Sequence, residues 1–545
     1  MPRTTTELLA RWDMLKTNRR NHEDAWDEII TLMQPFRGDI RTTKAEGTNR
    51  IGSIFDATAM LAADTFTNFL KGTIIPSGSD WVRLRAKNAV NDSELGLELK
   101  ALFDRASNTI LTALSASNFY VEAAAFLKDF GVVGNAALLV EEQEPYGDGS
   151  FRGLNFEAIS LKRMWWQNGR KRRPFFIVRE FDMPATDAES FFGPGVSPTA
   201  HEKMRISKPM ATVDFAHFVF ENEEGKLGAL VPGPDKPWQS VYVDVKAKQA
   251  IRTGGFNYNP YIISRWMVVD GEEYGRGRGH LARPTAKGVN ELTAQSLLAM
   301  GRMMDPTLVM EDDSIIEGDV VPGGTVYIRP WQKQAPDYLR IGTDLRFIQE
   351  RIVLDQQQIT RAFLGDVFED PETQPRSAEE SRQRLIRAQQ RLAAPAESVD
   401  YDFATPLMEC LIGKLSDAGM LPELEEAADL GGVEMEVVFQ SPFFTSQKNA
   451  QVQRVYSFLS RRIGLFQATQ DEAWIDDLDP DAIRSLDAEL SDVPARIFRT
   501  PEEVEERRMA RASRAAEERI AAQQQGGGSS PSRNPVPAQQ IEELA

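Results

Sequence analysis

Apolar residues recur along this chain with two different periods, and the switches between them mark its parts. In TTTELLARWDMLKTNRRNHEDAWDEIITLMQP, the residues Leu8, Trp12, Leu15, Trp26, Ile29 and Met33 fall at helical spacing. This predicts one long helix, capped by the threonines and stopped before Pro35. A second helix is expected after Asp56, a good N-cap, with Met60, Ala63, Phe66 and Leu70 facing inward and an end near Gly72 and Pro76. Residues 97–129 continue the helical period through Leu99, Leu102, Phe103, Ile110 and Leu114. From Gly131 the period becomes two: VVGNAALLVEE and FRGLNFEAISL alternate like strands. Asn168-Gly169 is expected to supply the positive φ of a tight hairpin turn. FFIVREF, DFAHFVFE and VYVDV add strands up to residue 255.

Residues 257–361 form the centre of the pattern. A β-like run (Tyr261, Ile262, Ile263, Trp266, Val268, Val269) meets a glycine-rich corner at Gly275, Gly277 and Gly279. A helical stretch then runs to Asp305-Pro306, where proline ends it. Short strand-and-turn text around Pro322-Gly323-Gly324 separates it from a second helical stretch, TDLRFIQERIVLDQQQITRAFLG. That piece is too small to hold a core of its own. The two helices are expected to be roughly 35 Å each at ~1.5 Å per residue. On the second, Leu345, Ile348, Ile352, Ile359 and Phe363 make a narrow stripe, while Arg346, Gln349, Glu350, Asp355, Gln356, Gln357 and Thr360 cover the rest. A stripe that narrow suits one or two neighbours, not encirclement.

The text then breaks at GDVFEDPETQPR, where Gly365, Pro371 and Pro375 exclude a helix. Ser377 and Glu380 form an S-x-x-E capping box for the next helix, which carries Arg382, Arg384, Arg387 and Arg391 and runs past Pro395 toward Met420. Those arginines read equally as a solvated face with Glu partners. A strand, VEMEVVFQSP, follows. Helices are then expected in QKNAQVQRVYSFLSRRI, DPDAIRSLDAEL and PEEVEERRMARASRAAEERIAA, the last opened by Pro501 at its first position. QQQGGGSSPSRNPVPAQQ is linker text and is expected to be disordered.

Composition narrows the function classes. A length of 545 residues calls for several domains. The net charge of −18 argues against a protein that coats nucleic acid, because clustered cations carry that binding. The densest basic cluster, Lys162, Arg163, Arg170, Lys171, Arg172 and Arg173, reads as a DNA contact, a solvated hairpin tip or a contact with an acidic neighbour. Cys410 has no cysteine to pair with, which suits a reducing compartment. No apolar run of ~18 residues and no signal-peptide pattern occurs, so a soluble, cytoplasmic chain with no membrane partner is expected. There is no G-x-x-x-x-G-K-[ST], no G-x-S-x-G and no H-E-x-x-H. Gly275-Arg276-Gly277-Arg278-Gly279 has His280 where a dinucleotide loop needs glycine. His22, His201, His217 and His280 stand alone. No catalytic residue, metal site or cofactor is therefore expected.

Two series of residues carry a resemblance. PYIISRW, GEEYGRG, NELTAQSLLAM and DPTLVM occur in that order in the centre. R-W-x-x-L-K, W-x-E-I, F-D-A-T-A, F-L-K-G and D-W-V-R-L occur in the first 85 residues. Together the series, over roughly residues 5 to 470, resembles the portal proteins of short-tailed bacteriophages, the head-to-tail connector family. The resemblance implies an α+β portal fold. Its parts are a wing (1–255), a first stem helix (256–305), a small β clip (306–340) and a second stem helix (341–364). A tunnel loop (365–376), a long wing helix with a closing strand (377–440), a helical crown (441–522) and a disordered tail (523–545) complete it.

It further implies a homo-oligomeric ring, dodecameric in the family, at one capsid vertex of the virion, assembled in the host cytoplasm. The ring would be the channel for double-stranded DNA during packaging and ejection. Its partners would be terminase, a tail adaptor, and capsid and scaffolding proteins. The stem residues facing DNA would be Lys287, Glu291, Gln295, Arg302, Arg346 and Glu350. The loop would offer Asp366, Glu369, Asp370, Glu372 and Arg376, and clip docking would use Trp331 and Tyr338. Twelve copies would carry on the order of two hundred negative formal charges, so the channel should mostly repel DNA. The alternatives are a nuclease with carboxylate-held Mg²⁺ and a monomeric scaffold or adaptor.

Overall fold

The computed structural model describes residues 4–87, 94–143, 151–170, 172–222, 236–305, 308–311, 325–328, 337–338, 345–365, 398–429, 435–440 and 455–465, with scattered helical positions from 467 to 517. The chain forms two compact units. One comprises residues 1–84, 106–424 and 437–451; the other comprises 85–105, 425–436 and 452–545. In the second unit the described part of residues 452–545 is helical at 455–465, with Tyr456, Phe458 and Ile463 about half exposed. The first unit holds most of the mixed helix and strand that makes this an α+β protein.

Helix α1 (Thr5–Met33) begins where Thr4 Oγ1 accepts the Glu7 N–H, and it ends just before Pro35, as its pattern predicts. Its stripe of Leu8, Trp12 and Leu15 packs on one face of a five-stranded sheet, against Trp165, Phe176, Phe218, Val241 and Val243. Helix α2 (Thr58–Ile74) is preceded by Ala57, with Asp56 one residue earlier than its expected capping place. Asp56 still works there, because its Oδ1 accepts the Thr58 N–H. The expected continuous helix over 97–129 is instead two, α3 (Glu94–Ala116) and α4 (Phe119–Lys128), followed by a π-helical turn at Asp129–Val133. Asn118 sits at the break and anchors it, its side chain exchanging two 2.8 Å bonds with the backbone of Phe156.

The strands are β1 (Val82–Ala86), β2 (Asn135–Glu142), β3 (Leu154–Ile159), β4 (Met164–Asn168), β5 (Pro174–Pro184), β6 (Thr212–Glu221), β7 (Trp238–Asp244), β8 (Gln249–Phe256) and β9 (Tyr261–Arg265). β4 to β8 form an antiparallel meander in chain order; β3-β2-β9 form a second sheet, with β2 in the middle. Two short helices, α5 (Ala185–Phe192) and α6 (Pro198–Arg205), sit between β5 and β6. The β4–β5 turn corrects the expectation from Asn168-Gly169. The left-handed residue is Arg172, at φ 58°, and not Gly169. The loop is longer than a two-residue turn, closed by Gly169 N–H donating to the Arg173 carbonyl.

After β9 comes helix α7 (Arg278–Met304), then strands β10 (Leu308–Glu311), β11 (Thr325–Ile328) and β12 (Asp337–Tyr338), then helix α8 (Leu345–Ala362). The three short strands make one sheet, with β10 central, parallel to β11 and antiparallel to β12. At ~1.5 Å per residue α7 is about 40 Å long and α8 about 27 Å, so the two are not the matched pair expected. A second π-helical turn (Asp400–Ala404) leads into α9 (Thr405–Asp417) and α10 (Pro422–Asp429), and β13 (Met435–Phe439) pairs with β1.

What joins α7 to the body is a contact of backbone on backbone. Gly134, at φ 95°, lies so close to the 275–277 corner that a Cβ built on it would sit 2.0 Å from the Gly277 nitrogen. A Cβ on Gly277 would meet the Val132 carbonyl oxygen at 2.5 Å. The approach lets Gly277 N–H donate to the Val133 carbonyl at 3.1 Å and Trp266 N–H to Gly134 at 3.0 Å. The Asn135 side chain completes the seam, exchanging bonds of 2.7 and 2.8 Å with the Gly275 backbone. Arg265, next to this seam, is buried and meets buried Asp402 through two bonds, Nε to Oδ2 at 3.0 Å and a terminal nitrogen to Oδ1 at 3.2 Å. Burial pushes the Asp402 carboxyl above its usual range, against the pull of Arg265.

The other face of the five-stranded sheet carries a polar row. Arg179, His217, Tyr242 and Arg252 are direct register partners across β5, β6, β7 and β8. His217 is buried, stacked on Tyr242 at 4.0 Å, and bonded through both ring nitrogens, to Tyr261 Oη at 2.6 Å and Ser240 Oγ at 2.8 Å. Burial, with Arg179 and Arg252 nearby, pushes its imidazole down to about 3.

Two expectations follow. Gly277→Ala should cost at least ~3 kcal/mol, since neither backbone can yield, and give little soluble protein. Gly72→Ala, with open space at its Cβ, should leave the thermal midpoint unchanged or slightly raised. Circular dichroism melts of the two variants check this. His217 makes stability fall with acid. The unfolded imidazole takes a proton near pH 6.5, whereas the folded one stays neutral down to about 3. Stability is therefore full above 6.5 and is lost as pH falls through that window, by on the order of 4–5 kcal/mol. His217→Asn should be less stable at neutral pH and show a flatter slope between pH 6.5 and 4 in chemical denaturation.

Candidate functional site

The two ends of the α7–α8 pair differ. The first half of α7 is fixed to the body by small residues: Gly279, Ala282, Ala286 and Val289 are buried at helical spacing. A Cβ on Gly279 would press on Ile29 of α1 at 2.8 Å. Glu28 of α1 reaches over to Lys287 Nζ at 2.8 Å and Arg283 Nε at 3.7 Å. Asn290 staples the helix to the 53–56 loop. Its Oδ1 accepts the Phe55 N–H at 2.6 Å and its Nδ2 donates to the Ser53 carbonyl at 3.0 Å. From α8, Gln356 Nε2 donates to Asp56 Oδ2 at 2.6 Å, and Phe363 packs on Phe66.

Beyond Asn290 no residue of α7 is buried, through to Asp305. The apolar side chains Leu297, Leu298, Met300, Met303 and Met304 stand exposed, Met304 to 87 %. On α8, Phe347 is 70 % exposed, and Val353 and Leu354 are exposed too. The stripe pattern did not single these out, because they lie off it. Ile359 and Phe363 are buried as expected, and Ile348 and Ile352 are half-buried. Asp355, expected on the polar side, is buried, its charge met by Arg351 Nε at 2.9 Å.

The structure places Lys287, Glu291 and Gln295 at successive turns of α7 and Arg302 two turns farther on the same side, all exposed. Lys287 is held by Glu28, and Gln295 Nε2 lies 3.5 Å from Glu291 Oε1. Arg346 and Glu350 are exposed, one turn apart, on α8. Asp366, Glu369, Asp370, Glu372, Arg376 and Trp331 lie outside the described residues. For Tyr338 the strand pairing with Leu308 is described. The Ser377 capping box and Arg382, Arg384, Arg387 and Arg391 also lie outside.

Three cations of the basic hairpin meet carboxylates within the chain. Arg163 meets Asp182 at 2.6 Å, Arg172 meets Asp270 at 3.6 Å, and Arg173 meets Glu409 at 3.8 Å while stacking on Tyr401. Lys162 Nζ donates to Thr43 Oγ1. Arg170 is exposed.

Among the described residues no group of three or more His, Cys, Asp or Glu side chains is placed to hold a metal ion. Cys410 is buried, and burial pushes its thiol up to about 12, which keeps it unreactive. His280, at the base of α7, is pushed down to about 4 by burial and by Arg276 and Arg283. Among the described residues no single helix is long and apolar enough to cross a membrane.

The chain is similar to known phage proteins. A probable portal protein of Bordetella phage BPP-1 is 21% identical over 478 residues, covering 83% of this chain and 81% of its own. A solved structure, the virion of a native gene transfer agent particle, is similar over 75% of this chain and 90% of its own, with 13% identity and a TM-score of 0.29. The sequence profile of the bacteriophage head to tail connecting proteins matches residues 5–498. With nearly its whole length matched, the chain belongs to the family of bacteriophage head to tail connecting proteins.

Proposed function

We infer that this chain is the subunit of a phage portal, a ring at one vertex of the virion through which DNA enters and leaves the head. In this reading α7 and α8 are the stem and β10–β12 the clip. Residues 365–376 are the tunnel loop, 377–440 the long wing helix and closing strand, and 441–522 the crown. Most of the first 255 residues make the wing. Terminase and then a tail adaptor dock at the clip, with Trp331 and Tyr338 as anchors, while capsid and scaffolding proteins surround the wing. Assembly takes place in the host cytoplasm, and the family precedent for the ring is twelve copies.

The observation that carries the reading is the unburied far half of the α7–α8 pair. Eight large apolar side chains, Leu297, Leu298, Met300, Met303, Met304, Phe347, Val353 and Leu354, are 39–87% exposed. Full burial of each stabilises by roughly 1.5–3 kcal/mol, so covering the set with neighbouring copies contributes on the order of 10 kcal/mol per subunit before ordering costs. The polar positions Lys287, Glu291, Gln295, Arg302, Arg346 and Glu350 are then left for the bore. There the side chains carry mixed signs, within a chain of net charge −18, so that DNA slides without capture. The family role is structural, and the described residues offer no metal cluster or reactive thiol for catalysis.

Leu298→Glu combined with Leu354→Glu should leave the folded spectrum and melting midpoint of the chain intact, because both sites are already exposed. Ring assembly, read by light scattering after size exclusion, should fall at least ~tenfold in yield, since each charge would have to be buried at a subunit contact. Rings at wild-type yield would remove the stem assignment.

The loop makes a separate expectation. Asp366, Glu369, Asp370 and Glu372 would repel phosphate from every subunit at once, with Arg376 offsetting them, so the ring of loops acts as a sliding collar. Replacing Asp366–Gln374 by a short Gly/Ser linker should leave rings assembling normally and reduce protected full-length DNA in a packaging reaction with procapsids. Unchanged DNA retention would refute the collar, whereas lost rings would show a structural loop.

A further inference from the structure

Two histidines that stand alone in the sequence meet at the root of α7. His22, on α1, is stacked on Trp26 at 5.7 Å and lies 5.4 Å from Tyr274. Tyr274 in turn meets Trp26 at 5.2 Å and Trp166 at 4.5 Å. His280 lies in the first turn of α7, and its backbone N–H donates to the Gly277 carbonyl at 3.2 Å, which ties it to the backbone seam. The joint beneath is made of small residues, with Gly279 against Ile29 of α1, so little side-chain area holds it closed.

Charged groups surround the pair on every element of the joint. In the corner before α7, Arg276 is held by Glu272 through bonds of 3.2 and 2.6 Å, and Glu273 accepts the Asn168 N–H at 2.8 Å. Arg278 precedes His280 by two residues. Within α7, Arg283 and Lys287 share one carboxylate, that of Glu28 on α1. Farther up α1, Arg19 is met by Glu23 at 2.8 Å. From β4 the neighbour is Trp166, which carries no charge. Each carboxylate named here already serves a donor, so none is left over to meet a charged imidazole.

An imidazolium carries an N–H on both ring nitrogens and needs an acceptor for each. His280 Nδ1 is buried and has no hydrogen-bond partner among the described residues. A positive charge in the first turn of a helix also opposes the helix dipole. Burial, with Arg276, Arg283 and His22 adding to it, is what holds His280 down to about 4. Burial lowers His22 as well, with Glu272 opposing and Arg276 assisting.

We propose that His22 and His280 form an acid-sensitive latch: neutral, they let α7 lie against α1, and protonated, they free the first turns of α7 from α1 while the sheets of the body stay folded. The neutral rings fit the packed joint, whereas the imidazolium is accommodated only when the joint opens to water. The closed joint is therefore complete above pH 6.5, the ordinary value for histidine, and is lost as pH falls from 6.5 toward 4. The latch lies within one chain and does not rest on the portal reading.

Hydrogen exchange of the full-length protein, read by mass spectrometry at pH 7.5, 6.5 and 5.5 and corrected for the intrinsic effect of pH, tests this. Amides of residues 278–290 should open about tenfold more often at pH 5.5 than at pH 7.5, and at each pH should exchange faster than those of 174–221. His280→Gln, checked for a wild-type dichroism spectrum at pH 7.5, should remove most of that rise and leave 174–221 unchanged, and His22→Gln should reduce it. If a variant misfolds, the two wild-type segments still decide the matter. A rise below about threefold, exchange of 278–290 in step with 174–221 at every pH, or an undiminished rise in folded His280→Gln or His22→Gln would each overturn the latch.

Discussion

The approach of Gly134 to Gly277 is the constraint on which the arrangement of this chain depends. Two backbone segments from distant parts of the sequence lie closer than any side chain permits, and their hydrogen bonds run directly between main-chain groups. Packed side chains can relax around a changed neighbour, but crossed backbones cannot. The seam therefore sets the position and direction in which α7 leaves the body, and everything from Gly277 to the end of α8 takes its bearing from it. Asn135 and the Arg265–Asp402 pair reinforce the crossing from either side.

Around the seam, the chain accepts desolvated charge to hold elements in register. Asp129 is buried in the π-helical turn against Arg37, whose Nε donates at 2.8 Å, and burial raises its carboxyl above the usual range. Arg37 also reaches the Ala158 carbonyl, tying α4's end to β3. Buried pairs of this kind add little net stability over well-packed apolar residues, because desolvation consumes much of the Coulomb gain. Losing one partner, however, leaves a charge stranded in the core. Their effect is to make alternative placements of α7 and the surrounding strands costly, which suits a part that must be repeated identically around a ring.

The α7–α8 pair divides its own energetics. Near the body, small residues allow close helix contact and the polar staples at Glu28 and Asn290 fix rotation. Farther out, beyond Asn290, no residue of α7 is buried and large apolar side chains stand exposed.

The sequence by itself determined the helices, because a 3.6-residue stripe such as Leu8, Trp12, Leu15 is a local consequence of which side must be dry. It determined the strands by alternation, the αβα order of the centre, and the family by an ordered series of motifs. It also identified Gly275, Gly277 and Gly279 as a corner, without revealing what the corner is for. Only the tertiary structure decided that, because the partner of Gly277 lies some 140 residues earlier, and nothing local to either segment records the other. The same holds for Asp355, whose burial depends on the neighbours packed over it. It holds for Arg172, which takes the left-handed place expected at Gly169 because loop length sets the turn. No stripe in the sequence marks the exposed residues from Leu297 to Met304. Their exposure is a property of the whole arrangement that no periodicity encodes.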